Sequence, residues 1–281
     1  MGALAVQHEV GSKNHVIVSR NQANGDVLGE VPVQDEAEIR AAVARAREAQ
    51  KPWGELPTRE RCRRVLAFRD AQTMKLHHAL DVSMCPGVDH MDFTFDGRTA
   101  LVSCEFSGRM IVVDLVHERV RKTIALSPLA MPQDVKLSPD GRTFYIADMA
   151  SNGVWLVNAK TMKTIRFMHT GAGAHGLYPS RDSKTLYVSN RGEGSISLID
   201  FRTRRMRGKW HIPGGGSPDM GGVSADGRVL WLSGRYSAQV YAISTRTGRL
   251  LARIPVGSGP HGLCVWPQPG RYSLGHTGIL R

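Results

Sequence analysis

The sequence predicts a mainly β protein with a small α+β segment on its amino-terminal side, and three observations support that fold class. The triplets Asp96-Gly97-Arg98, Asp140-Gly141-Arg142, Asp182-Ser183-Lys184 and Asp226-Gly227-Arg228 recur at intervals of 44, 42 and 44 residues. A fixed period of that length marks an array of repeated units. Each triplet separates two short apolar runs and two more follow it, so every period holds four strands, and Asp-Gly between apolar runs is a strong hairpin signal. Residues 35–50 instead place Ile39, Ala42, Val43 and Ala46 at helical spacing. Four short strands in each period of about 40 to 45 residues describe the blades of a propeller, whose neighbours bury each other's faces.

The elements follow in order. Val16-Ile17-Val18 and Val27-Leu28-Gly29-Glu30-Val31 flank Asn24-Gly25-Asp26 and read as two short strands joined by a tight turn. Asp35 is placed to cap the helix of residues 35–50, with Glu38 completing a capping box. Pro52-Trp53-Gly54 is expected to break that helix, and Thr58 to cap a second one running to Leu66. Val65-Leu66-Ala67-Phe68 also suits a third strand of a blade whose outer strand is 74–80. Four full blades are expected over about 85–258, and residues 261–281 supply the inner strands of a split or incomplete fifth. The fold class is thus a partial β-propeller, 67–281, behind an appendage of residues 1–66.

Formal net charge is +12, and it is uneven. Residues 1–70 hold 11 Lys+Arg against 10 Asp+Glu, which leaves 26 against 15 for the rest. Such an excess favours anionic partners, nucleic acid and other polyanions among them. No apolar run approaches the roughly 18 to 20 residues of a membrane-spanning helix, so no membrane span is expected. The start, Met1 to Glu9, lacks the basic and apolar regions of a secretory signal, so the chain as written is expected to be cytoplasmic. Cys62, Cys85, Cys104 and Cys264 form no Cys-x-x-Cys pair and are expected to be reduced.

Two resemblances add to this reading. Residues 20–32, 41–53 and 56–61, from Arg20-Asn21-Gln22-Ala23-Asn24-Gly25-Asp26 through Ala49-Gln50-Lys51-Pro52-Trp53 to Leu56-Pro57-Thr58-Arg59-Glu60-Arg61, make about 15–70 similar to the amino-terminal stretch of aldehyde dehydrogenases. In that family the stretch precedes a dinucleotide-binding domain, a cysteine nucleophile and a glutamate base. The resemblance supplies no matching position for any of these, so the fragment is expected to be inactive. Leu186-Tyr187-Val188-Ser189-Asn190 is a close variant of Tyr-Val-Thr-Asn, and about 68–281 resembles bacterial YVTN-type β-propeller proteins. That resemblance implies seven blades in the full fold and frequent export. Phe68-Arg69-Asp70-Ala71 fits both patterns, since Asp70 stands 44 residues before Asp114. Two unrelated coding segments are inferred to meet there, with about two blades missing and an open five-blade arc as the expected outcome.

Aligned on their turns, the blades put Asp89, Gln133, His175, Asp219 and His261 at one equivalent position, where the innermost strands start. These positions converge on the channel of a propeller. Beside them lie His90, Asp134 and Met220. Imidazole and carboxylate together suit zinc and similar ions, and polar residues there also suit blade-to-blade ties; the assignment made is a small polar or anionic ligand, with no metal, no cofactor and no catalytic residue. A second set follows the second strands: Glu105, Met149, Arg191 and Arg235, with His276 near the matching place. Arg191 and Arg235 can present guanidinium forks to carboxylate or phosphate, or pair with Glu193 or Glu105. The functional expectation is a non-catalytic binding or scaffold propeller, ligand and oligomeric state unassigned. The alternatives are aldehyde oxidation, by the amino-terminal resemblance, and a propeller that binds nucleic acid or another polyanion.

Overall fold

The computed structural model describes residues 16–20, 27–32, 35–55 and 65–265. The chain divides into two compact units, Met1–Arg63 and Arg64–Arg281. In the first, β1 (Val16–Arg20) pairs antiparallel with β2 (Val27–Pro32); the turn at Asn24-Gly25-Asp26 lies outside the described residues. Helix α1 runs from Glu36 to Glu55. Its capping box forms as expected: the Glu38 amide donates to Asp35 Oδ1 at 2.8 Å and the Asp35 amide to Glu38 Oε2 at 2.9 Å. The helix does not break at Pro52. A proline so close to the carboxyl end removes one hydrogen bond from a last turn that is weakly held in any case.

The second unit opens with β3 (Val65–Arg69) paired to β4 (Leu76–Asp81). Val65 and Leu66 are therefore strand, which corrects the expectation of a second helix reaching Leu66. The reason is periodicity: Leu66 and Phe68 turn inward and Val65, Ala67 and Arg69 outward, a period of two that a helix cannot satisfy. The rest of the Thr58 helix lies outside the described residues.

Four four-stranded antiparallel sheets follow. The first is β5 to β8 (Val88–Phe93, Thr99–Cys104, Arg109–Asp114, Arg119–Ala125). The second is β9 to β12 (Pro132–Leu137, Thr143–Asp148, Gly153–Asn158, Thr164–His169). The third is β13 to β16 (Ala174–Pro179, Thr185–Asn190, Ser195–Asp200, Arg205–His211), and the fourth β17 to β20 (Pro218–Val223, Val229–Gly234, Gln239–Ser244, Leu250–Pro255). Each is one blade. The apolar cores lie between blades: Leu101, Met110 and Val112 of the first meet Val135, Phe144 and Ile146 of the second, and Tyr145 and Leu156 meet Leu177 and Leu186. Tyr187 and Ile196 likewise pack on Leu230 and Leu232. Leu66, Phe68 and Leu80 of the β3–β4 hairpin pack on Val102 and Ile111 of the first blade, as an outer pair of strands should.

Local chemistry sets the turns. Asp96, Asp140 and Asp226 each accept the amide two residues on at 3.0 Å, while Gly97, Gly141 and Gly227 take positive φ. After the third strands, Asp114, Asn158 and Asp200 accept amides of the following turn, and Glu118, Met162 and Arg204 adopt left-handed φ. Asp70 does the same with Thr73 at 2.7 Å, and Met74 has φ of 58°. The blade register therefore extends back to residue 70. Residues 256–265 carry no strand. The expected pairing of strand 74–80 with residues 271–281 lies outside the described residues.

The expectation that all four cysteines are reduced is overturned: Cys85 and Cys104 form a disulfide with Cα atoms 4.9 Å apart. Spacing concealed it, because the contact comes from hairpin register, which sets Val88 opposite Cys104. Cys104 ends the second strand of its blade. At the same place in the next blades Asp148 accepts the amide of Met131 at 2.9 Å, and Asn190 accepts the Thr170 hydroxyl at 3.1 Å. All three residues clasp the segment leading into the innermost strand. In the first blade the clasp is covalent.

Candidate functional site

The innermost strands β5, β9, β13 and β17 run side by side in consecutive blades. Their register with the second strands slips at the start: Ala174 faces Asn190 and Leu177 faces Val188, so His175 and Gly176 together oppose Ser189. The same slip sets Asp89 and His90 against Ser103, and Asp219 and Met220 against Ser233. These are β-bulges, which re-aim side chains out of the pleat. The serines hold them open. Ser103 Oγ accepts the His90 amide at 2.9 Å, Ser189 Oγ the Gly176 amide at 2.8 Å, and Ser233 Oγ the Met220 amide at 3.2 Å. The serine of Tyr187-Val188-Ser189-Asn190 thus supports a site residue. Its neighbour Asn190 ties strands instead, donating to Ser195 Oγ and Ser197 Oγ.

Because second strands run antiparallel to the innermost ones, the loops after β14 and β18 return to the same end of the sheet. Arg191 and Arg235 thereby meet the bulge residues. Asp219 is fully buried, and four basic side chains face its carboxylate. His175 Nδ1 lies 2.8 Å from Oδ1, Arg191 Nη1 3.3 Å from Oδ1, His261 Nε2 3.8 Å from Oδ2 and Arg235 Nη1 4.0 Å from Oδ2. Burial works against ionisation of Asp219, but His175, Arg191 and His261 outweigh it and hold the carboxyl below its usual range. Burial, opposed by Asp219 and reinforced by the arginines, lowers the His261 pKa. The guanidinium of Arg191 also lies over the Tyr236 ring, 5.4 Å from its centroid.

The five ring positions thus divide. His175, Asp219 and His261 come together with Arg191 and Arg235. Asp89 stands with His90, whose Nε2 is 3.2 Å from Asp89 Oδ2 and whose ring meets His175 edge-on at 6.2 Å. Gln133 turns to its own blade: it is buried and Nε2 donates to the Met131 carbonyl at 3.2 Å. For Gln133 the structural role is the one seen. Asp134 has a similar duty, since Oδ2 accepts the Leu177 amide of the next blade at 2.9 Å. The expected pairing of Arg191 or Arg235 with Glu193 or Glu105 is not what the described residues show. Glu193 binds Lys209 at 2.8 Å and both arginines face Asp219. His276 lies outside the described residues.

Sequence reasoning missed Tyr236 and Lys136. Tyr236 follows Arg235 directly and is largely exposed, so its loop position was the available signal. Lys136 sits in an apolar run, yet Nζ is buried, 3.6 Å from Asp134 Oδ1, and makes no hydrogen bond among the described residues.

Asp89 yields a pH prediction. Burial, then the charge of Glu105, pushes its pKa to about 6, with His175 opposing. A carboxyl that holds its proton more tightly when folded loses stability as pH rises from its unfolded pKa of about 4 to its folded value. Asp89→Asn is therefore expected to melt above the wild type at pH 7, with the difference vanishing below about pH 4. Melting curves across pH 3 to 8 test this; a variant less stable at pH 7 would mean that the charged form is favoured.

A model of the family "YNCE-like beta-propeller" matches residues 127–269. A model of the aldehyde dehydrogenase family matches residues 8–84, running across β3 and β4. No curated protein sequence matches the chain significantly. Among solved structures, hydrazine synthase from Kuenenia stuttgartiensis is 23% identical with a TM-score of 0.54, over 69% of this chain and 53% of that one. A catalytically inactive virginiamycin B lyase from Staphylococcus aureus, with quinupristin, is 14% identical with a TM-score of 0.59, over 72% and 66%. Dihydro-heme d1 dehydrogenase NirN is 13% identical with a TM-score of 0.51, over 89% and 43%. The chain spans less than two thirds of each of these proteins, and at such identities the likeness is one of fold.

Proposed function

Since the chain belongs to the YNCE-like beta-propeller family over 127–269, we propose that it is a binding propeller whose ligand is a small polar molecule carrying a carboxylate or phosphate. The observation that supports this is the charge balance around Asp219: one buried carboxylate faces two guanidinium groups and two imidazoles. Asp219 neutralises at most one of the arginines. Arg191 is buried and held by Asp219 and Tyr236, whereas the side chains of Arg235 and His261 are 37% and 44% exposed. An anion arriving from solvent meets Arg235 and His261 first, and Asp219 keeps Arg191 aimed at the same point. Its fork suits planar carboxylate or phosphate oxygens.

Titration calorimetry with succinate, citrate and inorganic phosphate tests the reading. Wild type is expected to bind one of them, and Arg235→Met to bind it at least about tenfold more weakly, as loss of a charged hydrogen bond worth about 1.5 to 3 kcal/mol implies. Its melting temperature should stay nearly unchanged, because Arg235 is only a distant partner of Asp219. No binding of any of the three anions by the wild type would refute the reading. Tight binding of an oligonucleotide instead, with affinity falling steeply in salt, would favour the polyanion alternative.

A further inference from the structure

We propose that His175, Asp219 and His261 form a binding site for a divalent transition-metal ion such as zinc or cobalt(II), which binds jointly with the anionic ligand. The proposal rests on the reading of the cluster around Asp219 as an anion-binding site. One donor from each residue comes within 4.8 Å of the others, and two imidazoles with one carboxylate is a set that borderline divalent ions accept.

A second observation points the same way. His175 is almost wholly buried, and its Nδ1, 2.8 Å from Asp219 Oδ1, has no hydrogen-bond partner among the described residues. The two atoms are close but out of line for an N–H···O bond. The in-plane direction along which Nδ1 holds a proton or a metal is thus not spent on the carboxylate, which leaves this buried nitrogen available as a ligand beside Asp219. Metal bonds of about 2.1 Å put tetrahedral donors about 3.4 Å apart, and the contacts of 2.8 and 3.8 Å to Asp219 bracket that value. His261 lies outside any strand, between Gly259 and Gly262, both with positive φ. Small adjustments there can complete the geometry.

Three protein ligands leave a coordination position open. Arg191 and Arg235 stand at the same carboxylate, and their charge opposes a bare metal ion. An anion in the open position removes that opposition, because it is attracted by the metal and by both guanidinium groups. Metal and anion should therefore strengthen each other's binding by the same factor.

Cobalt(II) titration of chelator-treated protein, followed by its visible absorption with and without inorganic phosphate, tests this. Wild type is expected to bind one cobalt(II) with the intense bands of a tetrahedral site, and more tightly with phosphate present. His261→Ala should weaken cobalt(II) by at least about tenfold, as loss of one of three ligands demands. His117→Ala, outside the site, should not. Arg235→Met should bind cobalt(II) at least as well as wild type without phosphate and lose the phosphate enhancement. Absence of the tetrahedral spectrum, or a His261→Ala variant that binds like wild type, overturns the metal site. If phosphate then still binds to wild type and more weakly to Arg235→Met, only the metal inference has failed; if phosphate also does not bind, the anion-binding reading has failed with it.

Discussion

Asp219→Ala is expected to destabilise the propeller by about 3 to 5 kcal/mol at pH 7, the cost of stranding a buried charge when its partner is removed. Arg191 is the stranded group. It is buried, and both of its contacts to carboxylate oxygens, at 3.3 and 3.4 Å, go to Asp219. His175 loses its neighbour as well. The backbone carbonyl of Asp219 accepts the Tyr178 hydroxyl at 3.0 Å and the Ser189 hydroxyl at 2.8 Å. Those bonds survive the substitution, so the loss isolates the carboxylate. The pH dependence follows from the lowered pKa. A carboxyl whose pKa is depressed on folding contributes stability that is present above its unfolded pKa and lost as pH falls through the folded one. The cost of Asp219→Ala should therefore shrink in acid. Urea unfolding of both proteins at pH 7 and pH 3 measures it; a loss under about 1 kcal/mol at pH 7 would place the pair among weak, surface-like contacts.

Cys85→Ser combined with Cys104→Ser is expected to cost about 3 kcal/mol, mainly by freeing the unfolded chain, since the bond closes a loop of that order of size. The two cysteines are 19 residues apart and both are fully buried. Two polar side chains in an apolar site between the β3–β4 hairpin and the first blade add to the loss. Reductant should bring wild type to nearly the stability of the double variant and leave that variant unaffected. Thiol counting in denaturant without reductant should find two of the four cysteines blocked; four reactive thiols would show that the bond does not form.

Blade number and register were legible because they are set by short-range chemistry. The Asp-Gly turns, the Asx turns after each third strand and the left-handed residues at 74, 118, 162 and 204 all involve groups within about five positions of one another. Leu66 and Phe68 illustrate the limit. Alternation and helical spacing competed over the same few residues, and packing of the β3–β4 hairpin on the first blade decided for strand.

The site was half legible. Equivalent positions after equivalent turns put His175, Asp219 and His261 in one set, and the structure brings the three together; the bulges at the starts of β13 and β17 re-aim His175 and Asp219. Gln133 occupied the same position and yet its side-chain amide bonds the Met131 carbonyl two residues back.

By itself, then, the sequence determined the strands, their four-fold grouping and the places where chemistry can be displayed. Only the tertiary structure decided which groups meet there. The partners of Asp219 lie between 16 and 44 residues away in the chain: His175 in the first strand and Arg191 in a loop of the third blade, Arg235 in a loop of the fourth, and His261 in the segment after it. Turns form from neighbours, whose chemistry is written side by side, whereas contacts between blades depend on how sheets stack face to face, and that is fixed by the packing of apolar faces that carry no record of what their edges will bring together.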